Sequence, residues 1–110
     1  MKVINRVKKY EDFQKVIHEG KLIKSASLTL YFLENNLGYA RVGISIPTKS
    51  GSAVVRNKMR RQIRAIIGQE LDYQSLSLDL VLIARRNYDI GNFTKTRADI
   101  IELINKARNK

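Results

Sequence analysis

The stretch Leu78-Asp79-Leu80-Val81-Leu82-Ile83-Ala84 is apolar at nearly every successive position. As a strand it would present apolar side chains on both faces at once, because neighbouring side chains alternate across a sheet. Only the middle of a sheet buries both faces. The pattern therefore predicts a central strand over Leu78–Ala84, interrupted by one carboxylate, Asp79. Whatever this chain folds into has to supply strands to flank it.

Two candidates lie upstream. In Ser27–Leu33, Leu28, Leu30 and Phe32 alternate with Thr29, Tyr31 and Leu33. In Ala40–Ile46, Val42, Ile44 and Ile46 alternate with Arg41, Gly43 and Ser45. Asn35-Asn36-Leu37-Gly38 is turn material, so an antiparallel hairpin between the two is expected. One sheet face then reads as core, and the other carries Tyr31 beside small residues that leave room above it.

Helices account for the rest. A short one runs from Glu11 to His18 and stops at Gly20, with Phe13 and Ile17 sharing one side. Ser52 is a good N-cap, and Ala53 to Ile67 follow without a breaker until Gly68. Phe93 to Ala107 is amphipathic, with Phe93, Arg97, Ile100, Ile101, Ile104 and Ala107 along one side. Phe32 and Phe93 are assigned to the core. The order α-β-β-α-β-α predicts an α/β fold, an α+β two-layer sandwich of sheet and helices. With 110 residues there is room for one core, hence a single domain over residues 1–110.

Charge is distributed unevenly along this domain. Lys and Arg number 21 against ten Asp and Glu, a formal excess of +11. Self-repulsion makes such an excess costly, so it points to an anionic partner. No acidic residue occurs between Glu34 and Glu70, whereas Arg41, Lys49, Arg56, Lys58, Arg60, Arg61 and Arg64 all fall there. On a helix, Arg56, Arg60 and Arg64 form one cationic stripe, and Asn57 and Arg61 a second beside it. Val55, Met59, Ile63, Ile66 and Ile67 supply the face that seats the helix on the sheet. A merely solvated charged face would pair with carboxylates three or four residues away, and there are none. Arginine's planar fork suits phosphate. Strands on both sides of this helix argue against a helix-turn-helix and for RNA over DNA.

Several functions are excluded. The chain has no cysteine, so disulfides, zinc knuckles and thiol nucleophiles are out, consistent with a reducing cytoplasm. No apolar run reaches the ~20 residues of a membrane span. His18 is the only histidine, so histidine-pair acid–base chemistry is out; its place in a helix's last turn fits a structural role. Glu70, Asp72, Asp79 and Asp89 are scattered rather than clustered as a two-metal site requires. The chain therefore has no catalytic residues and no metal ligands of its own. A structural rRNA-binding protein shares its charge and size, and a DNA-binding regulator remains a second rival. Phe13 reads equally as core or as a binding aromatic.

One segment is distinctive beyond its charge. Gly51-Ser52-Ala53-Val54-Val55-Arg56-Asn57-Lys58-Met59-Arg60-Arg61-Gln62-Ile63-Arg64 closely resembles the signature helix of the bacterial ribonuclease P protein component. Arg41-Val42-Gly43-Ile44-Ser45, the N-terminal Asn5 to Phe13 block and Leu82-Ile83-Ala84-Arg85-Arg86 resemble that family too, in the same order. The resemblance implies a left-handed βαβ crossover like that of some ribosomal-protein domains. It also implies a function: an accessory subunit of the endoribonuclease that removes the 5′ leader from precursor tRNA in the bacterial cytoplasm. Catalysis and its Mg2+ ions would belong to the RNA subunit, the protein binding no cofactor alone. The implied partners are the ribonuclease P RNA and precursor tRNA, with no DNA, membrane or obligate protein partner. By the same resemblance, Ser52, Arg56, Asn57, Lys58, Arg60, Arg61 and Arg64 would bind the RNA subunit. Phe13, Ile17, Tyr31 and Lys49 would bind the leader. Ser52, Lys58 and Ile17 depart from the family's usual Asn, Arg and aromatic residue. Leader contact then rests more on Tyr31 and Phe13.

Overall fold

A computed structural model describes residues 2–109, so Met1 and Lys110, the ends of the expected 1–110 domain, lie outside the described residues. In chain order the elements are α1 (Tyr10–Glu19), β1 (Lys21–Lys24), β2 (Leu28–Glu34), β3 (Arg41–Ser45), α2 (Ala53–Glu70), β4 (Leu78–Ala84) and α3 (Phe93–Arg108). The four strands form one sheet in the order β1-β2-β4-β3. β4 takes an interior place, as its two apolar faces require.

That placement corrects the expected hairpin. β2 and β3 do not pair with each other; β4 inserts between them, antiparallel to β2 and parallel to β3. A strand so apolar gains more by burying both edges than the neighbouring pair gains from a short turn. The Asn35–Gly38 turn still forms, with Asn36 and Gly38 at positive φ, but it carries the chain across the start of β4. There the Asn35 N–H donates to the Ser77 carbonyl (3.1 Å). β1 adds a fourth strand to the expected order. Its Lys-Leu-Ile-Lys sequence is short and largely exposed, so it has no alternation to betray it.

Leu28, Leu30 and Phe32 of β2, Val42 of β3, and Leu80, Leu82 and Ala84 of β4 point to one side of the sheet. Met59, Ile63, Ile66 and Ile67 of α2 and Ile100, Leu103, Ile104 and Ala107 of α3 cover them. Each such large aliphatic side chain contributes about 1.5–3 kcal/mol through burial. α2 runs through Gly68 to Glu70 instead of stopping at Gly68, because Leu71 is still buried in the core and Glu70 pairs with Arg97 of α3. Phe93 is not core: it opens α3 and is 39% exposed, whereas Phe32 is buried.

α1 crosses the opposite face. It leads straight into β1 through Gly20, where a Cβ would lie 2.4 Å from the Val16 carbonyl oxygen and 2.6 Å from that of Phe32. Only glycine fits so close to two backbones. On this face the buried Asp79 (5% exposed) accepts from Arg41 Nε (2.8 Å) and Nη2 (2.5 Å) and from Asn35 Nδ2 (2.9 Å). Arg41 Nη1 also lies 3.5 Å from Asp12 of α1. Asp79→Ala leaves the guanidinium without its main partner. It is expected to cost about 3–5 kcal/mol, read as a lower urea midpoint at unchanged slope.

Candidate nucleic-acid interface

α2 is set by its cap and its buried face. The Ser52 hydroxyl accepts from the Val55 N–H (3.3 Å), which starts the helix where expected. With Met59, Ile63, Ile66 and Ile67 turned to the sheet, the residues on the outer side line a shallow groove of about 460 Å3: Val54, Asn57, Arg60, Arg61 and Arg64. Arg60 Nη1 donates to Asn57 Oδ1 (2.9 Å), so the two expected stripes merge into one surface. Arg56 and Lys58 do not line this groove; Arg56 is half-buried and Lys58 exposed on another flank. Val54 went unnoticed in the sequence. Its signal was a position off the 55-59-63 apolar spacing, and it stands 77% exposed among arginines.

These cations are uncompensated. Among the described residues the four ion pairs involve Arg41, Arg97 and Lys106; the one that reaches α2 uses the carboxylate of Glu70 at its C-terminal end, and none uses an α2 cation. Arg64 Nε is buried with no hydrogen-bond partner.

The second surface lies on the face that α1 crosses. Strand register aligns Leu22, Tyr31, Val81 and Gly43 in one row across the four strands. Lys24, Thr29, Ile83 and Ser45 form the next row. Phe13 packs on Gly43, where a Cβ would meet its ring 2.7 Å away. Val81 and Val16 are fully buried here, while Ile17, Tyr31, Thr29, Ile83 and Ser45 are half-buried. Phe13 is thus both packed and accessible, and its ring edges a groove of about 350 Å3. Thr29, Ser45 and Ile83 belong to this floor. They were legible as the residues two places along from Tyr31, Gly43 and Val81.

Lys49 is brought elsewhere. It lines a cavity of about 500 Å3 at the end of the sheet, with Arg85, Arg86 and Tyr88 at the rim and Val55, Met59, Ala84 and Ile90 beneath. Tyr88 donates to Gln62 Oε1 (2.9 Å), and Gln62 Nε2 donates to the Ile90 carbonyl (2.9 Å), which pins the β4–α3 loop to α2. Burial pushes the Tyr88 hydroxyl up to about 12, so it stays a donor. Arg85 Nη1 donates to the Ser25 carbonyl (2.7 Å). His18 is exposed and bonded to Gln14 one turn back (3.1 Å).

A mixed sheet backed by two helices, with unpaired arginines on one helix, defines a small basic α+β domain of the RNA-binding kind. The ribonuclease P family model matches residues 1–108. The ribonuclease P protein component of Mycoplasma mycoides is 33% identical over 103 residues, covering 93% of this chain and 94% of the relative. Among solved structures, an RNase P protein mutant of Staphylococcus aureus with defective mRNA degradation activity superposes with a TM-score of 0.85 at 28% identity, over 96% of this chain and 89% of that one. The RNase P protein from Thermotoga maritima gives 0.78 at 26% identity, over 89% and 93%. The chain belongs to the ribonuclease P family. No helix among the described residues is long and apolar enough to cross a membrane.

The contact between Phe13 and Gly43 sets the width of the sheet-side groove. Gly43→Ala is expected to lose about 1–3 kcal/mol through overpacking. Phe13→Ala in the same chain should recover much of that loss, so the double mutant is less destabilised than the sum of the singles. Additive losses in denaturant melts would show that the ring is free to move aside.

Proposed function

We propose that this chain is the protein subunit of a bacterial ribonuclease P and assists removal of the 5′ leader from precursor tRNA. The observation that carries the reading is the α2 groove. Arg60, Arg61 and Arg64 stand together there without a carboxylate, on a chain of this family. This groove binds the RNA subunit. Structured RNA offers phosphates at fixed positions on an A-form surface, and guanidinium forks match pairs of phosphate oxygens. Arg56 and Lys58, on the flanks, add long-range attraction rather than bidentate contact, and Ser52 acts through the helix cap.

The sheet face takes the leader. Tyr31 and Phe13 offer ring surface, Ile17 apolar contact, and Thr29 and Ser45 small neighbours that leave room for an unpaired base. Stacking contributes about 1–3 kcal/mol per base and accepts any base, which suits leaders of varied sequence. Lys49 reaches the strand from the cavity at the sheet's end, together with Arg85 and Arg86. No side chain of this protein takes part in bond breaking. The RNA subunit and its Mg2+ ions cleave the phosphodiester, while the protein lowers the free energy of the bound precursor. It works in the cytoplasm without an obligate protein partner.

Reconstitution with a bacterial ribonuclease P RNA tests this. At low Mg2+ the protein should stimulate cleavage of precursor tRNA, and no stimulation would sink the proposal in favour of a structural rRNA binder. Tyr31→Ala should weaken binding of precursor more than of mature tRNA. If about six phosphates are neutralised, log K should fall with log salt at a slope of roughly 4 to 5.

A further inference from the structure

The two RNA surfaces are not separate in space. Arg64 lines the α2 groove and also the groove edged by Phe13, on the far side of edge strand β3. The N-terminal segment closes that second groove. Asn5 Nδ2 donates to the Ala40 carbonyl (2.9 Å), the Val7 N–H donates to the Val42 carbonyl (3.0 Å), and Arg6 bridges to Val42 as a parallel strand would. Extended backbone alternates its side chains. Val7 is therefore buried, its Cβ 3.3 Å from where a Gly43 Cβ would stand, while Arg6 and Lys8 are turned outward.

Three cations thus line one groove of about 350 Å3 at the edge of β3, together with Val7, Phe13, Val42, Gly43 and Ile44. Among the described residues no carboxylate lines it, and none of Arg6, Lys8 or Arg64 is in an ion pair. Arg64 Nε is buried and lacks an acceptor. An unpaired buried donor on a charged group is costly, and a phosphate oxygen would satisfy it.

We infer that Arg64, Arg6 and Lys8 form one phosphate site at the edge of β3, where a single unpaired nucleotide bridges the α2 groove and the sheet face. The ligand class is a phosphodiester of single-stranded RNA, since a groove this size takes one nucleotide and not a duplex. This rests on the reading of the sheet face as the leader surface, and it assigns Arg64 to both grips. Arg60 and Arg61 serve the RNA subunit alone.

The test uses the reconstituted holoenzyme and measures two quantities: affinity for the RNA subunit, and preference for precursor over mature tRNA. Arg64→Met should weaken the first and reduce the second, each by roughly tenfold or more, the size of a lost charge-assisted hydrogen bond. Arg64→Lys restores the charge but not the Nε donor, and should recover only part of either loss. Arg6→Ala with Lys8→Ala, both exposed and safe for folding, should lower the preference for precursor. Arg60→Met should weaken RNA-subunit binding and leave the preference unchanged. If Tyr31→Ala lowers the preference but Arg64→Met and the Arg6/Lys8 pair do not, the shared site is wrong and the sheet reading stands. If Tyr31→Ala also has no effect, the sheet reading fails first.

Discussion

Asp79 is a carboxylate buried in the interior strand of the sheet, and the parts of the interface meet at its partners. It accepts the Nε and Nη2 donors of Arg41 and the amide of Asn35. Asn35 in turn accepts from Ser77 Oγ (2.7 Å) and from the Leu37 N–H (3.0 Å), fixing the turn that lets β4 enter between β2 and β3. Arg41 reaches Asp12 at the start of α1, one residue before Phe13. The hydrogen bond with Asp79 raises the Arg41 pKa against the opposing effect of burial, so the guanidinium stays charged. Buried ion pairs are weak net stabilisers but costly to break, which makes this one a device for register and orientation. Through it, strand order, turn and the seat of α1 are one linked arrangement.

The basic residues follow a different rule. Among the described residues, carboxylates pair with Arg41, Arg97 and Lys106, and no arginine or lysine of α2 has a carboxylate partner. A helix in that condition repels itself, and its buried isoleucines and methionine have to offset the repulsion. Phosphates reverse the sign of that interaction. In the proposed function the sheet face adds what charge cannot, ring surface for unpaired bases. The arginines of α2 and the ring of Phe13 lie on opposite sides of edge strand β3, and Arg64 lines the groove on each side.

Much of this was legible in the residues, and the failures have physical causes. α2 was clear because cap, apolar spacing and charge agreed along one segment, and β4 because few environments accept an apolar run with no polar face. The β2–β3 hairpin failed since a good local turn says nothing about a strand still to come, and β4 outcompeted the local pairing. β1 was invisible because an exposed edge strand needs no pattern. Phe93 was placed in the core by spacing alone, yet it stands at the first turn of α3, beyond the reach of the sheet. Lys49 and Arg85 meet only through the fold, since they sit on either side of α2 in the chain. The N-terminal segment was read by resemblance alone; its clasp on β3 depends on backbone hydrogen bonds, which no side-chain pattern announces.

The division between helix and sheet can be mapped directly. The chain has no cysteine, so a single introduced thiol gives an unambiguous tether for a hydroxyl-radical source. Val54→Cys places it in the α2 groove, and Lys24→Cys at the end of the open row on the sheet. In the holoenzyme bound to precursor tRNA, cleavage from position 54 should fall in the RNA subunit and cleavage from position 24 in the leader. Leader cuts from position 54 with RNA-subunit cuts from position 24 would contradict the assignment of the two faces.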